Sequence, residues 1–284
     1  PVNDQTVSVT TTDNDVAGFT IVESGGATSV AETGTTDTFT VVLNAQPASN
    51  VVLSISSSDA GEATVTSALT FTTANWNSAQ TVTVTGADDN LVDGTQTSTL
   101  TISIVDAVTD DNFDGVADQT VSATTTDNDV AGFTIAESGG STSVSESGTT
   151  DTFTVVLNAQ PNSDVVLSIT SSDTGEATVT SALTFTAANW NSAQTVTVTG
   201  ANDSLIDGTI TSTITVAIND GSSDNNFDSV ADQTVSVTTT DNDVAGFTIT
   251  QSGGSTSVSE SGTTDTFTVV LNAQPASNVV LSIS

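Results

Sequence analysis

The chain has 284 residues, of which 34 are Asp or Glu and none is Lys, Arg or His, so its formal net charge is −34 at pH 7. Without cationic side chains it has no clamp for phosphate, and we expect it to bind neither nucleic acid nor an anionic membrane. The absence of Cys and His excludes a thiol nucleophile, an imidazole base, a zinc site of the usual kind and a disulfide. The apolar runs are too short to predict a membrane-spanning helix.

An internal repeat of 114 residues organises the sequence. The string DNDVAGFTI begins at Asp13, Asp127 and Asp241, and 127 − 13 = 241 − 127 = 114. Residues 16–129 and 130–243 align without a gap and differ at 23 of 114 positions, which leaves 91 identities. A unit of this length has the size of a domain. We therefore expect the C-terminal strand of a preceding repeat in 1–15, complete repeats in 16–129 and 130–243, and the N-terminal part of a third repeat in 244–284.

Apolar and polar residues alternate along each repeat, which predicts half-buried β-strands. In the second repeat clear alternating runs lie, in chain order, at 153–157, 165–169, 183–185, 196–198, 214–218 and 235–237. Turn-forming Gly, Asn, Asp, Ser and Pro residues separate these runs, and no stretch has a helical period. About seven strands in such a unit predict an all-β fold of tandem immunoglobulin-like β-sandwich domains, arranged end to end.

Most acidic residues lie in the turns, and the same turns recur in each repeat. The groups are Asp127–Asp129 with its copies; Asp88, Asp89 and Asp93, copied as Asn202, Asp203 and Asp207; Asp59 and Glu62, copied as Asp173 and Glu176; Glu32, copied as Glu146 and Glu260; and Asp110, Asp111, Asp114 and Asp118. Carboxylate and amide oxygens suit a hard cation, and irregular loops suit Ca²⁺ better than Mg²⁺. Solvated turns are the alternative for each single Asp, because Asp and Asn favour turns by themselves.

DNDVAGFTIVE, from Asp13 to Glu23, resembles the junction between consecutive Calx-beta domains, the calcium-binding sandwiches of sodium/calcium exchangers and of large bacterial surface proteins. GADDNLVDGTQT resembles the acidic loop of that family, and SVAETG resembles its short acidic segment. The resemblance implies calcium ligands at one end of each domain. They are Asp13, Asp15, Glu32, Asp59, Asp88, Asp89, Asp93, Asp127, Asn128 and Asp129, and then Glu146, Asp173, Asp203, Asp207, Asp241 and Asp243.

The sequence departs from the family pattern at several of these positions. Asn202 replaces an Asp of the acidic loop in the second repeat. Gln96 and Ile210 stand where that loop carries a further Glu, and Gln251 stands where the other copies have Glu23 and Glu137. Each departure lowers the charge of the ligands, so we expect weak binding of the kind found in extracellular modules.

Near-identical repeats add length without adding new chemistry, and this favours a structural role. We expect an extracellular, cell-surface rod, rigidified by Ca²⁺, that forms an adhesin stalk or a surface filament. Its partners would be calcium ions, neighbouring repeats of the same chain and other copies in a filament. The absence of trypsin sites and of sulfur suits that location.

Several alternatives remain at this point. The first is a module that binds carbohydrate or another cell surface. Outward threonines at 81–85 and 195–199 suggest an ice-binding face, and exchange of strands between chains would also build a filament. We expect no enzyme, because the carboxylate pair Asp89 and Asp93 recurs beside turn-forming residues, with few aromatic residues to line a sugar cleft.

Overall fold

The computed structural model describes residues 2–284, so Pro1 of the predicted segment 1–15 lies outside it. The chain divides into two compact units, with the boundary between Asp129 and Val130. The described residues contain no α-helix, only short 3-10 helices, and none is long or apolar enough to cross a membrane. These helices are Ser24–Gly26, Asp106–Val108, Asp111–Phe113, Ser138–Gly140, Asp220–Ser222, Asn225–Phe227 and Ser252–Gly254.

The first unit is a sandwich of two facing sheets. Its strands are β1 (Phe19–Glu23), β2 (Thr28–Ala31), β3 (Thr36–Leu43), β4 (Val51–Ser57), β5 (Ala63–Val65), β6 (Ala68–Phe71), β7 (Gln80–Gly86), β8 (Gln96–Ile104) and β9 (Gln119–Thr126). One sheet has the order β1-β3-β7-β5, and the other has the order β2-β9-β8-β4-β6. Neighbouring strands are antiparallel except β2 and β9, which are parallel. The all-β sandwich fold predicted from the sequence is confirmed.

Each complete repeat has nine strands where the sequence predicts about seven. Two of the strands that the named runs do not include are short: β2 has four residues and β5 has three. Each has a single large apolar residue, Val30 or Val65, and so shows no alternation, whereas the equally short β6 is recognised from Leu69 and Phe71. The chain changes sheets between β1 and β2, where the turn at Ser24–Gly26 includes Gly25 with a φ of 67°.

The alternating side chains pack between the sheets as the pattern predicts. Phe39 and Val41 of β3 are fully buried, as are Leu53 of β4 and Leu100 of β8. Burial of such apolar surface is the main source of stability in a two-layer fold. Trp76 is half-buried against the edge of this core, and its carbonyl accepts a hydrogen bond from the Leu43 amide.

The second unit repeats this architecture. Its strands are β10 (Phe133–Glu137), β11 (Thr142–Ser145), β12 (Thr150–Leu157), β13 (Val165–Ser171), β14 (Ala177–Val179), β15 (Ala182–Phe185), β16 (Gln194–Gly200), β17 (Ile210–Ile218) and β18 (Gln233–Thr240). The sheets have the orders β10-β12-β16-β14 and β11-β18-β17-β13-β15. Residues from 244 onward add one antiparallel pair, β19 (Phe247–Gln251) and β20 (Phe267–Leu271).

The two incomplete segments behave differently from the complete repeats. Phe247 is 50% exposed, whereas its counterpart Phe133 is 3% exposed, because no sheet in the described part of the chain faces β19 and β20. The strand expected in 1–15 does not form in its described part, 2–15, where Val7 and Val9 are exposed. A strand needs backbone partners, and no strand within residues 2–284 pairs with this segment.

Candidate metal centre

The acidic turns of the first repeat converge at one end of its sandwich. Glu32 follows β2, Glu62 precedes β5, and Asp127 follows β9. The loop that carries Asp88, Asp89 and Asp93 connects β7 to β8. The register places these strand ends together, because Ala31 pairs with Thr126, Gln96 with Thr125, and Ala63 with Gly86.

Two groups of carboxylates meet at this end and share one residue. One oxygen from each of Glu32, Glu62 and Asp93 lies within 4.8 Å of the others, and the same holds for Glu32, Asp127 and Asp129. Glu32 is only 1% exposed and Glu62 is 7% exposed. Two ionised carboxylates at this separation repel by roughly 3 kcal/mol at an effective dielectric constant of about 20. The sequence contains no cationic side chain that would offset this repulsion.

Three carboxylate oxygens at this end are buried and have no hydrogen-bond partner among residues 2–284. They are Oε2 of Glu62, Oδ1 of Asp93 and Oδ2 of Asp129. Buried polar atoms in folded proteins are almost always paired, and an unpaired carboxylate oxygen carries a large desolvation cost. Unpaired oxygens that converge in this way are suited to coordinate a cation.

The pKa values of the carboxyl groups in this cluster reflect their burial and mutual repulsion. Burial raises the pKa of Glu62 from 4.5 to about 7, and the negative charges of Asp93 and Glu32 add to this effect. Burial also raises the pKa of Glu32, Asp93 and Asp129, with further contributions from neighbouring carboxylates. The ionised forms are thus disfavoured in the cation-free protein, and a divalent cation among these oxygens would reverse the preference.

The Asp127 carboxylate holds the loop between β7 and β8 by accepting hydrogen bonds from backbone amides of that loop. Its Oδ2 accepts hydrogen bonds from the amides of Asp93 at 3.1 Å and of Gly94 at 2.8 Å. Its Oδ1 accepts a hydrogen bond from the Asp129 amide at 2.6 Å. Asp127 therefore links the segment after β9 to the loop between β7 and β8.

Asn128 and Asp89 complete this scaffold. The Asn128 amide donates to Oε2 of Glu32 at 3.1 Å, and its side-chain Nδ2 donates to Oδ1 of Asp88 at 2.7 Å. Oδ1 of Asp89 accepts a hydrogen bond from the Leu91 amide at 2.7 Å. The DND string thus orders the ligand-bearing segments by local hydrogen bonds, as Asp and Asn do in turns.

The second repeat forms a related cluster. Its two groups are Glu146, Glu176 and Asp207, and Glu146, Asp203 and Asp243. Oε2 of Glu176 and Oδ2 of Asp243 are buried without a hydrogen-bond partner in residues 2–284. Burial is the main cause of the raised pKa of Glu146 and Glu176.

Asp241 and Asn202 show how far this second cluster matches the first. Oδ2 of Asp241 accepts from the Gly208 amide at 2.9 Å, and its backbone hydrogen bonds, above all that from Asp243, lower its pKa. Oδ1 of Asn202 accepts a hydrogen bond from Nδ2 of Asn242 at 2.8 Å, as Asp88 does from Asn128. The substitution keeps the hydrogen bond and removes one negative charge.

Eight of the sequence-predicted ligands contribute no oxygen to these groups: Asp88, Asp89, Asn128 and Asp241, which belong to the hydrogen-bonded scaffold, and Asp13, Asp15, Asp59 and Asp173. Asp59 and Asp173 are exposed, and each accepts a hydrogen bond at 2.9 Å from the amide two residues further on, at Gly61 and Gly175. Asp13 and Asp15 are exposed at the opposite end of the first unit, beside the turn that contains Pro47. The Asp15 amide donates to Oδ1 of Asp13 at 3.0 Å.

Glu62 and Glu176 are the buried members that the implied ligand set omits. Both belong to an acidic group recognised in the sequence, but the resemblance assigned the role to Asp59 and Asp173. The string D-x-G-E is the sequence feature that could have identified them. In the first repeat Asp59 accepts a hydrogen bond from the Gly61 amide within its own turn, and the following Glu62 is the buried carboxylate.

Asp110, in another acidic turn, has a structural role. It is 5% exposed, and its carboxylate accepts hydrogen bonds from the amides of Ala48, Ser49 and Asn112. These hydrogen bonds lower its pKa, the Asn112 amide contributing most. Asp110 thus fastens the turn after β3 to the segment before β9.

No family model and no curated protein matches this chain. Among solved structures, the calcium binding domain CBD12 of CALX1.1 is 12% identical with a TM-score of 0.27, over 70% of this chain and 80% of that chain. Domains 4 and 5 of the S-layer protein SbsC are 20% identical with a TM-score of 0.32, over 66% and 76%. A protein of unknown function from Porphyromonas gingivalis W83 is 10% identical with a TM-score of 0.26, over 79% and 96%. At these TM-scores the likenesses carry no argument about function.

Proposed function

We propose that each complete repeat binds Ca²⁺ at the acidic end of its sandwich. The observation that carries this proposal is the buried, unpartnered Oε2 of Glu62, which lies in a group of three carboxylates with no cation in the chain to pair them. The residues that would hold the ion are Glu32, Glu62, Asp93, Asp127 and Asp129 in the first repeat, and Glu146, Glu176, Asp203, Asp207 and Asp243 in the second.

The ligand chemistry favours Ca²⁺ over other metals. The donors are all oxygen atoms, and the chain has neither His nor Cys for softer metals. Ca²⁺ accepts six to eight such ligands in irregular arrangements, whereas Mg²⁺ requires octahedral geometry and retains several waters. When bound, the ion would supply charge compensation at the end of the sandwich, and the chain's own residues would order the loops around it.

We further propose that the chain is part of an extracellular structural rod at a cell surface, with repeat boundaries at 16–129 and 130–243. A contact between the second repeat and the residues that follow it supports a mechanical role. The Gln274 amide donates to the Ser204 carbonyl at 2.6 Å, and the Ile206 amide donates to the Gln274 carbonyl at 3.3 Å.

This contact lies in the same loop as two of the proposed ligands. Ser204 and Ile206 stand between Asp203 and Asp207. An ion that orders these two carboxylates would also order the backbone that holds the next repeat. Calcium binding and the stiffness of the array would therefore be coupled, as any two events that share one ordered segment are.

Calorimetric titration of the 284-residue chain with CaCl₂ tests the proposal. We expect binding by the unaltered chain, and loss of most of it in the double variant Glu62→Gln and Glu176→Gln. The matched control is Asp118→Asn with Asp232→Asn, which removes two exposed carboxylates at the opposite ends of the sandwiches. Binding that is unchanged in the first variant, or equally reduced in the control, would contradict the proposal.

A further inference from the structure

We propose that Gly86 and Gly200 are positioning residues of the calcium centre, because the missing side chain lets the segment that carries Glu32 or Glu146 lie directly against the end of β7 or β16. This inference rests on the proposed function. It adds two residues that offer the ion no ligand.

The approach of the two segments leaves no room for a side chain. A Cβ atom at Gly86 would lie 2.0 Å from the carbonyl oxygen of Ala31 and 2.6 Å from its carbonyl carbon. At Gly200 the corresponding distances to Ser145 are 2.1 Å and 2.7 Å. Neither glycine has a positive φ, so its backbone conformation is open to other residues. Space is therefore the reason that glycine is required here.

Gly86 stands where three ligand-bearing segments meet. Its amide donates to the Thr35 carbonyl at 3.0 Å, which holds the turn that follows Glu32. The amide of the next residue, Ala87, donates to the Glu62 carbonyl at 2.8 Å. The loop that carries Asp93 begins directly afterwards. The dipeptide Gly86–Ala87 thus sets the relative positions of Glu32, Glu62 and this loop.

An alanine at Gly86 would displace Glu32 by a distance that matters for coordination. Real Cβ atoms essentially never approach another heavy atom within 3.0 Å, so the backbone segments of Ala31 and Gly86 must separate by about 3.0 − 2.0 = 1.0 Å. Glu32 is the next residue and belongs to both carboxylate groups. Ca²⁺–oxygen distances span only about 0.3 Å, so a displacement of this size removes Glu32 as a ligand.

The test is calcium titration of Gly86→Ala in the 284-residue chain, with Glu146→Gln and Glu176→Gln added so that only the first repeat responds. We expect at least tenfold weaker binding in the folded variant. The matched control is Gly115→Ser, because Gly115 has no heavy atom within 4 Å of its Cβ position and its counterpart is Ser229. This control should bind as the unaltered repeat does.

Two further variants separate positioning from simple loss of stability. Val51→Ala opens a cavity in the core at the opposite end of the sandwich, and it should lower the melting temperature without changing calcium affinity. Thr35→Val removes the hydroxyl that accepts the Ala31 amide hydrogen bond at 2.7 Å, at an exposed position where folding is retained. We expect it to weaken binding severalfold, so the inference remains testable if Gly86→Ala does not fold.

The outcomes distinguish the inference from the function on which it rests. Unchanged affinity in Gly86→Ala, or in Thr35→Val if the alanine variant does not fold, would overturn the inference while calcium binding stands. Equal weakening in Val51→Ala would also overturn it, since the effect would then follow stability alone. If the unaltered chain binds no calcium, the proposed function fails and the inference fails with it.

Discussion

Replacing Glu62 by Gln removes a charge from the most crowded part of the acidic end while preserving the shape of the side chain. Burial and neighbouring carboxylates raise the pKa of Glu62 from 4.5 to about 7. Each pKa unit corresponds to about 1.4 kcal/mol, so ionising Glu62 at pH 8 costs roughly 3 kcal/mol more in the folded chain than in the unfolded chain. Glu62→Gln should therefore stabilise the calcium-free first repeat by up to that amount, or roughly 10 °C in melting temperature.

The same variant should lose stability relative to the unaltered chain once calcium is added. A ligand at 100 times its dissociation constant stabilises a folded domain by about 2.7 kcal/mol, and Glu62→Gln removes part of the site that provides this gain. Thermal unfolding at pH 8, with chelator and with saturating CaCl₂, measures both effects. The variant should melt at a higher temperature than the unaltered chain in chelator and should gain less from calcium.

Asp118→Asn is the control, because it removes one exposed carboxylate at the opposite end of the same sandwich. It should change stability by no more than about 0.5 kcal/mol in either condition. A Glu62→Gln variant that melts at a lower temperature in chelator would show that Glu62 is satisfied without a cation. In that case the unpartnered Oε2 of Glu62 would not indicate a cation site.

Further outcomes follow from the same structure. Asn202→Asp restores a carboxylate to the second cluster, and calorimetry should show roughly threefold to tenfold tighter calcium binding. Asp110→Asn weakens the hydrogen bonds that fasten the turn after β3, so the melting temperature at pH 7 should fall by roughly 5 °C or more. This difference should decline as the pH falls below the ordinary pKa of Asp and disappear below the lowered pKa of Asp110, because the hydrogen bonds stabilise the fold only while the carboxylate is ionised. The raised pKa of Glu62 means that the folded chain holds the Glu62 proton up to about pH 7. In chelator, the free energy of unfolding measured between pH 5 and pH 8 should therefore fall by up to about 1.4 kcal/mol per pH unit for each proton released. With calcium bound this decline should be absent, because the ion requires ionised ligands.

The sequence predicts the sandwich well because its strand signal is local. Phe39 and Val41 alternate with polar residues, and both are fully buried in β3. The strands β2 and β5 escape prediction because each has a single large apolar residue, Val30 or Val65, and their pairing depends on distant partners. The acidic turns converge because of the order of the strands in the two sheets, and the alternation of apolar and polar residues does not specify that order.

The roles of individual carboxylates are less accessible from the sequence. Asp59 and Glu62 stand three residues apart in one turn, yet Asp59 is exposed and caps the turn while Glu62 is 7% exposed. Gly86 has no side chain that would mark it as functional in the sequence, and its role depends on how closely the backbone of Ala31 approaches it. Side-chain direction and close backbone approach depend on packing between sheets, so the sequence shows which turns are acidic but not which oxygens meet.

A crystal structure of the 284-residue chain grown with CaCl₂, with anomalous scattering recorded to identify the ion, would show whether calcium binds at Glu62. We expect calcium at the acidic end of the first repeat, with oxygens of Glu32 and Glu62 at about 2.3–2.6 Å from the ion. Calcium found only at exposed carboxylates such as Asp118, with Glu62 still unpartnered, would contradict this expectation.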